Sequence, residues 1–257
     1  MDWDLYESGP EEANRTVLLL PGGLMAAGSY AEVMAQPALK NLRLIAATLP
    51  GHCGTAPPAD ITTENYARLV GELAKDRGCD VLVGFSMGAT VVLEMVASGV
   101  FAGPVVLLGI SMSSKDEPAF FRAIMRLGSV LGALPSAALL SMTGMMLKSV
   151  PLPPERKAEL AADFRRNKPQ VMRHLLREYE RYLSRHAKPA TRLCDAGTPT
   201  WVAHAEKGDG GLTDDERRTL ESCTHATVIT IPGTSYLLLN EKPEQIADII
   251  VAAVAAA

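Results

Sequence analysis

Residues Val81-Leu82-Val83-Gly84-Phe85-Ser86-Met87-Gly88-Ala89-Thr90 constrain the fold of this chain more than any other stretch. The apolar run that opens it reads as a buried strand. The run that follows, through Val91, Val92, Leu93, Met95 and Val96, reads as a helix. Between them there is room only for a sharp turn, Gly84-x-Ser86-x-Gly88. The two glycines remove side chains where strand and helix approach closely, and the serine at the tip must take an unfavourable backbone angle. A turn of this kind holds a hydroxyl at the end of a strand, where it can attack a carbonyl carbon. Gly-x-Ser-x-Gly is common by chance in glycine-rich turns; the strand before it and the helix after it make this one informative.

The other apolar runs repeat the alternation. Thr16-Val17-Leu18-Leu19-Leu20 ends at Pro21-Gly22-Gly23, and a run over residues 42–48 ends at Leu49-Pro50-Gly51. Val105-Val106-Leu107-Leu108 follows the serine segment, and residues 200–205 and 226–231 add two more strands. A closing amphipathic helix begins near Pro243 and sets Ile246, Ile249, Ile250 and Val254 on one face. Strands that are apolar throughout imply a mostly parallel central sheet with helices on both faces, an α/β architecture. The interval 113–193 breaks the rhythm. Its first half is rich in Leu and Met, and its second half, from Pro154 to about His186, is charged and helical. Pro151 and Pro153-Pro154 mark the joint. The pattern predicts a core built from residues 1–112 and 194–257, with 113–193 inserted between two strands as a helical cap. A chain of 257 residues accommodates one such domain.

Bulk properties narrow the function. The formal net charge of −4, with no basic tail, argues against binding nucleic acid. Cys53, Cys79, Cys194 and Cys223 are scattered without zinc or redox spacing, which predicts four reduced thiols, no metal and a cytoplasmic protein. The first residues, Met1-Asp2-Trp3-Asp4-Leu5-Tyr6-Glu7, lack the basic and apolar regions of a signal peptide. No apolar stretch reaches membrane-span length free of charge, Pro or Gly, so no membrane association is expected.

Acyl transfer at Ser86 needs donors for the negative charge that develops on the carbonyl oxygen. The amide of Met87, next to the serine and at a helix start, is one. The second is expected from Pro21-Gly22-Gly23-Leu24, where glycines let amides point inward; Gly23 is the first candidate and Leu24 the second.

Four segments together resemble the α/β-hydrolase superfamily over nearly the whole chain. They are Leu20-Pro21-Gly22-Gly23, then Pro50-Gly51-His52-Cys53-Gly54, then the turn around Ser86. The last is the pair His204-Ala205-Glu206-Lys207-Gly208-Asp209 and Ile231-Pro232-Gly233-Thr234-Ser235-Tyr236. The chain resembles the capped small-molecule esterases and the thioesterase-like and lyase-like members more than the large lipases. The resemblance implies an α/β-hydrolase fold with an inserted cap, a serine nucleophile, no cofactor, and an acid after the strand that follows the cap. That acid maps onto Asp209, with Asp116 as a distant runner-up. Asp214, Asp215 and Glu216 are better explained by a helix start, because Thr213-x-x-Glu216 has the form of a capping box.

The family's base is a histidine in the loop after the last strand. This chain keeps the frame, with Pro232-Gly233-Thr234-Ser235 before the position and Leu237-Leu238-Leu239-Asn240-Glu241-Lys242-Pro243 after it, but Tyr236 stands there. An ordinary phenol, with a pKa near 10, is ionised to roughly one part in a thousand at pH 7. Loss of a member of such a catalytic set costs about 10⁴ to 10⁶ in turnover. Of the five histidines, His52 lies in a loop at the sheet edge where active sites form and is the one substitute base to consider. His204, His225, His174 and His186 read as structural or solvated.

Met142, Met145 and Met146 of the insertion are candidates to line an adaptable apolar pocket over Ser86, although apolar residues at helical spacing equally make ordinary core. Two functions follow. One is hydrolysis of a small ester, thioester or related acyl substrate through Ser86, with an impaired triad. The other is a degenerate member that binds a small molecule in the pocket without efficient hydrolysis, as a sensor or carrier. The oligomeric state is not legible in the sequence.

Overall fold

The computed structural model describes residues 2–114, 116, 147, 150, 152–186, 188–207 and 211–257. The apolar runs form the strands β2 (Thr16–Leu20), β3 (Arg43–Ala47), β4 (Val81–Phe85), β5 (Val105–Leu108), β6 (Thr200–Ala205) and β7 (Ala226–Ile231). They pair in parallel, and the sheet order is β1-β3-β2-β4-β5-β6-β7. The first strand, β1 (Leu5–Ser8), pairs antiparallel with β3 at the sheet edge. It was not expected from the sequence: four half-exposed residues, Leu-Tyr-Glu-Ser, carry too little apolar pattern to announce a strand.

Every residue of β2, β4 and β5 is buried, and alternate side chains feed two separate cores. Leu18, Leu20, Leu82, Val105 and Leu107 face one side, where α2 (Thr63–Asp76) and α3 (Met87–Ala97) pack. Val17, Leu19, Val83, Phe85, Val106 and Leu108 face the other. That second side is covered by the short α1 (Ala31–Met34) and by the C-terminal helix, whose Ile246, Ile249 and Ile250 are buried as their spacing predicts. This two-sided burial is why the strands are apolar without alternation.

Three helices lie in the described part of the interval between β5 and β6: α4 (Pro154–Arg165), α5 (Pro169–Arg185) and α6 (Pro189–Asp195). The charged, helical stretch from Pro154 to about His186 is divided between α4 and α5. The break falls at Arg166-Asn167-Lys168, just before Pro169, which suits the first position of a new helix because its missing N–H needs no partner there. Met172, Leu175, Leu176, Tyr179, Tyr182 and Leu183 of α5 join the core on the α2 and α3 side. Glu94 of α3, only 5% exposed, accepts from the Tyr182 hydroxyl at 2.7 Å and from Arg192 of α6 at 2.8 Å. Its buried charge is thus paired and hydrogen-bonded, as burial of a carboxylate requires. On the opposite core, Arg156 of α4 pairs with Glu32 of α1 at 2.6 Å, and Glu32 in turn accepts from Asn240 at 3.0 Å.

The chain ends with α7 (Asp214–Glu221), α8 (Leu238–Glu241) and α9 (Pro243–Val254). Thr213 and Glu216 form the reciprocal capping box expected at the start of α7. One expectation from the sequence fails: Cys194 and Cys223 are joined in a disulfide, with Cα atoms 5.9 Å apart, leaving Cys53 and Cys79 as the free thiols. Their separation of 29 residues in sequence conceals a spatial neighbourhood made by the pairing of β6 with β7, which sets α6 beside α7. No described helix is long and apolar enough to cross a membrane.

The first turn of α3 presses directly onto the end of β2. A Cβ at Gly88 would lie 2.4 Å from the Leu20 carbonyl oxygen and 2.6 Å from that of Pro21, and one at Gly84 would lie 2.5 Å from the Ala89 Cα. Gly88→Ala therefore forces backbone from backbone. It is expected to lower unfolding free energy by about 1–3 kcal/mol, the range for overpacking a well-filled site, and to shift the elbow; urea titration of both proteins measures the loss.

Candidate active site

The connection from β2 runs to β3 on one side and the next crosses back over β2 to β4 on the other, a reversal that opens a crevice at the C-terminal ends of β2 and β4. Ser86 stands there, directly after β4. Its backbone, at φ 51° and ψ −117°, occupies a region that costs a non-glycine residue of order 1–3 kcal/mol. The surroundings hold it: the Ser86 amide donates to the Leu108 carbonyl at 2.8 Å, and its carbonyl accepts from Thr90 N at 3.1 Å. The Ser86 hydroxyl makes no capping bond to α3, so it is not spent on the helix it precedes. Met87, the first residue of α3, has an amide that intrahelical bonding leaves over, on the positive end of the helix dipole.

The loop after β2 lies against this elbow. A Cβ at Gly22 would sit 3.1 Å from the Phe85 ring and 3.2 Å from Ser86 Cβ, and one at Gly23 would sit 3.3 Å from Met87 Cε. Met25 N donates to Gly22 O at 3.2 Å and closes a tight turn in which Leu24 takes φ 71°. Both candidates for a second oxyanion donor, Gly23 and Leu24, thus belong to one turn stacked on Ser86 and Met87.

Tyr236 arrives from the loop after β7. Its phenolic oxygen is 3.3 Å from Ser86 Oγ, with either hydroxyl able to donate, and its ring meets Phe85 edge to face at 5.8 Å between centroids. Glu241 fixes the main chain on both sides of the tyrosine. Its carboxylate accepts from Ser235 N at 2.8 Å, from Ser235 Oγ at 2.5 Å and from Leu237 N at 3.1 Å. The loop after β6 is tied to the same segment. Glu206 accepts from Gly233 N at 2.9 Å, and Lys207 N donates to Thr234 O at 3.2 Å. Asp209 itself lies outside the described residues, as do Met142, Met145 and Met146. Glu241 and Glu206 are site-building residues that sequence reasoning missed; the only signal was the Glu-Lys-Pro at a helix start, which reads as frame and not as a clamp.

The remaining candidates serve their own loops. His52 is fully buried, with Nδ1 3.2 Å from Leu49 O and, among the described residues, no hydrogen-bond partner at Nε2. Burial pushes its pKa down to about 4, against the smaller opposing effect of the nearby backbone carbonyls. His204 is 2% exposed within β6, opposite Thr230, and His186 approaches Glu64 at 3.2 Å. Asp116 is buried, and its Oδ2 accepts from Met112 N, Ser113 N and Ser113 Oγ within 3.0 Å. Desolvation, joined by the nearby Glu216 charge, pushes its carboxyl up to about 6 despite those bonds. Among the described residues, no group of three or more His, Cys, Asp or Glu is arranged to hold a metal ion.

The architecture recurs in solved structures of low sequence identity. A thermophilic esterase from Thermogutta terrifontis, with malate bound, superposes with a TM-score of 0.75 at 16% identity, covering 98% of this chain and 93% of its own. MenH from S. aureus gives 0.74 at 18% identity, with 98% and 97% covered. The thioesterase domain from the curacin biosynthetic pathway gives 0.69 at 16%, with 96% and 94% covered. At these identities the likeness shows the fold. No curated protein matches the sequence. The family model described as the alpha/beta hydrolase family matches residues 17–249, and the chain belongs to that family.

Proposed function

We propose that the protein hydrolyses a small ester, thioester or related acyl substrate through Ser86, with Tyr236 as its proton-transfer partner and the amides of Met87 and of Gly23 or Leu24 as the oxyanion hole. The observation that carries this is the strained, uncapped Ser86 with its hydroxyl 3.3 Å from the Tyr236 phenol. In this reading the Tyr236 phenolate takes the serine proton as Ser86 Oγ bonds to the carbonyl carbon. The resulting oxyanion is held by the amides, and its collapse expels the alcohol or thiol, which leaves with a proton returned by the phenol. Water then attacks the acyl-serine in the same way. Asp209, outside the described residues, keeps the role that the family resemblance implies, the acid that orients the base. The esterase and thioesterase among the structural neighbours support an acyl substrate.

A phenol is a poor base near neutrality, so turnover is slow at pH 7. Below the ordinary phenol pKa, kcat/KM is expected to rise about tenfold per pH unit. Tyr236→His should raise turnover of a p-nitrophenyl ester at pH 7 and flatten the profile above it, whereas Ser86→Ala abolishes both turnover and labelling by a fluorophosphonate. A wild type that labels at Ser86 yet hydrolyses nothing at any pH would leave the second reading, a binding protein that keeps the pocket. That reading draws on His52 being fully buried, with its ring bonded within its own loop.

His52→Phe separates the two roles considered for that residue. A histidine whose folded pKa is about 4, against an ordinary 6.5, is neutral in the fold and protonated in the unfolded chain between those values. Its contribution is present above pH 6.5 and is lost as pH falls to 4, on the order of 3 kcal/mol. His52→Phe is expected to leave ester hydrolysis within about twofold and to weaken the acid dependence of Tm over that window. A loss of turnover instead would make His52 the base.

A further inference from the structure

The structure assigns to Asn167, in the turn between α4 and α5, the role of positioning residue for the oxyanion loop; this rests on the reading of Ser86 as nucleophile. Asn167 is 4% exposed and its amide is fully engaged. Oδ1 accepts from the Cys53 backbone N–H at 2.9 Å, while Nδ2 donates to the Leu24 carbonyl at 2.9 Å and to Phe164 O at 3.0 Å. Cys53 Sγ donates to the same Leu24 carbonyl at 3.0 Å. Burial pushes the Cys53 thiol up to about 12, so it keeps the proton it donates.

The two backbones joined in this way are both unfavourable. Leu24 has φ 71° and Cys53 has φ 48°, two of the four non-glycine residues at positive φ among the described residues, Ser86 being another. Each costs roughly 1–2 kcal/mol in that region, and neither loop contains a glycine at the position to remove the cost. The Leu24 carbonyl and the Leu24 amide lie on opposite sides of one Cα, so a carbonyl fixed by two donors also fixes the peptide that joins Gly23 to Leu24. Gly23, at one end of that peptide, faces the Met87 side chain, where a Cβ would sit 3.3 Å from Met87 Cε, and Gly22 before it faces Ser86 Cβ at 3.2 Å. Release of the carbonyl lets Leu24 relax to negative φ and turns the candidate oxyanion donors away from the elbow. An asparagine suits the task because one planar group must both donate to a carbonyl and accept from an N–H. An ionised aspartate would set negative charge against the Leu24 oxygen. The inserted helices therefore reach the chemistry through the loop after β2, with no contact to Ser86 needed.

The test compares wild type with Asn167→Leu, Asn167→Asp and Cys53→Ala, using the rate of Ser86 labelling by a fluorophosphonate and the kcat and KM of a p-nitrophenyl ester, well below each Tm. Asn167→Leu is expected to lower kcat and the labelling rate about 100-fold, the scale of losing one oxyanion donor, with KM within about twofold. Cys53→Ala, which removes the other donor to Leu24, should lose about tenfold. Asn167→Asp should fall as far as Asn167→Leu at pH 7 and recover relative to wild type at pH 4–5, where a protonated carboxyl again donates. Absence of labelling in wild type would refute the nucleophile on which the inference rests. Wild-type rates in any folded variant at position 167, or equal loss from Asn167→Asp at both pH values, would overturn the positioning role alone. Should both Asn167 variants fail to fold, an unchanged labelling rate in Cys53→Ala overturns it.

Discussion

The whole arrangement depends on one close contact, the first turn of α3 against the end of β2. With backbone atoms at Gly84 and Gly88 within a distance that no side chain tolerates, the chain must turn from β4 into α3 in a single residue. That residue is Ser86, and its strained backbone follows from the packing around it. The same contact places the loop after β2 over the serine, since Gly88 touches the carbonyls of Leu20 and Pro21 that lead into Gly22 and Gly23. Ser86 and the candidate oxyanion loop are thus joined by sheet geometry before any side chain acts.

Most of the core was legible because it is local. A run such as Val105-Val106-Leu107-Leu108 states its own burial, and the elbow states its own turn. What escaped was short or non-local. β1 is four residues long and half exposed. The Cys194–Cys223 bond and the Asn167 contacts to Leu24 and Cys53 depend on residues far apart in sequence that only the folded topology brings together. Tyr236 was singled out because it stands at the histidine position of a frame that resembles the family's, yet nothing in that frame announces that Glu241 holds the tyrosine loop through three bonds.

The polar interactions around the site share a pattern. Carboxylates and amides bind main-chain groups more often than they bind each other: Glu241 holds the loop after β7, Glu206 ties that loop to the one after β6, and Asn167 ties the loops after β2 and β3. Such bonds fix backbone directions, which loops without regular structure otherwise leave free. They place the catalytic candidates by their supports, through main-chain geometry.

The Cys194–Cys223 bond turns the chain between its ends into a covalent ring of β6, the segment that follows it, and α7. In the chain-entropy view, a ring of this size removes roughly 3–4 kcal/mol of freedom from the unfolded chain. The loop between β6 and α7 sits inside the ring, so the chain can be cut there without its two parts separating. The half bearing Ser86 and the half bearing Tyr236 would stay covalently joined across the break, and the two sides of the site would share the fate of a single sulfur–sulfur link.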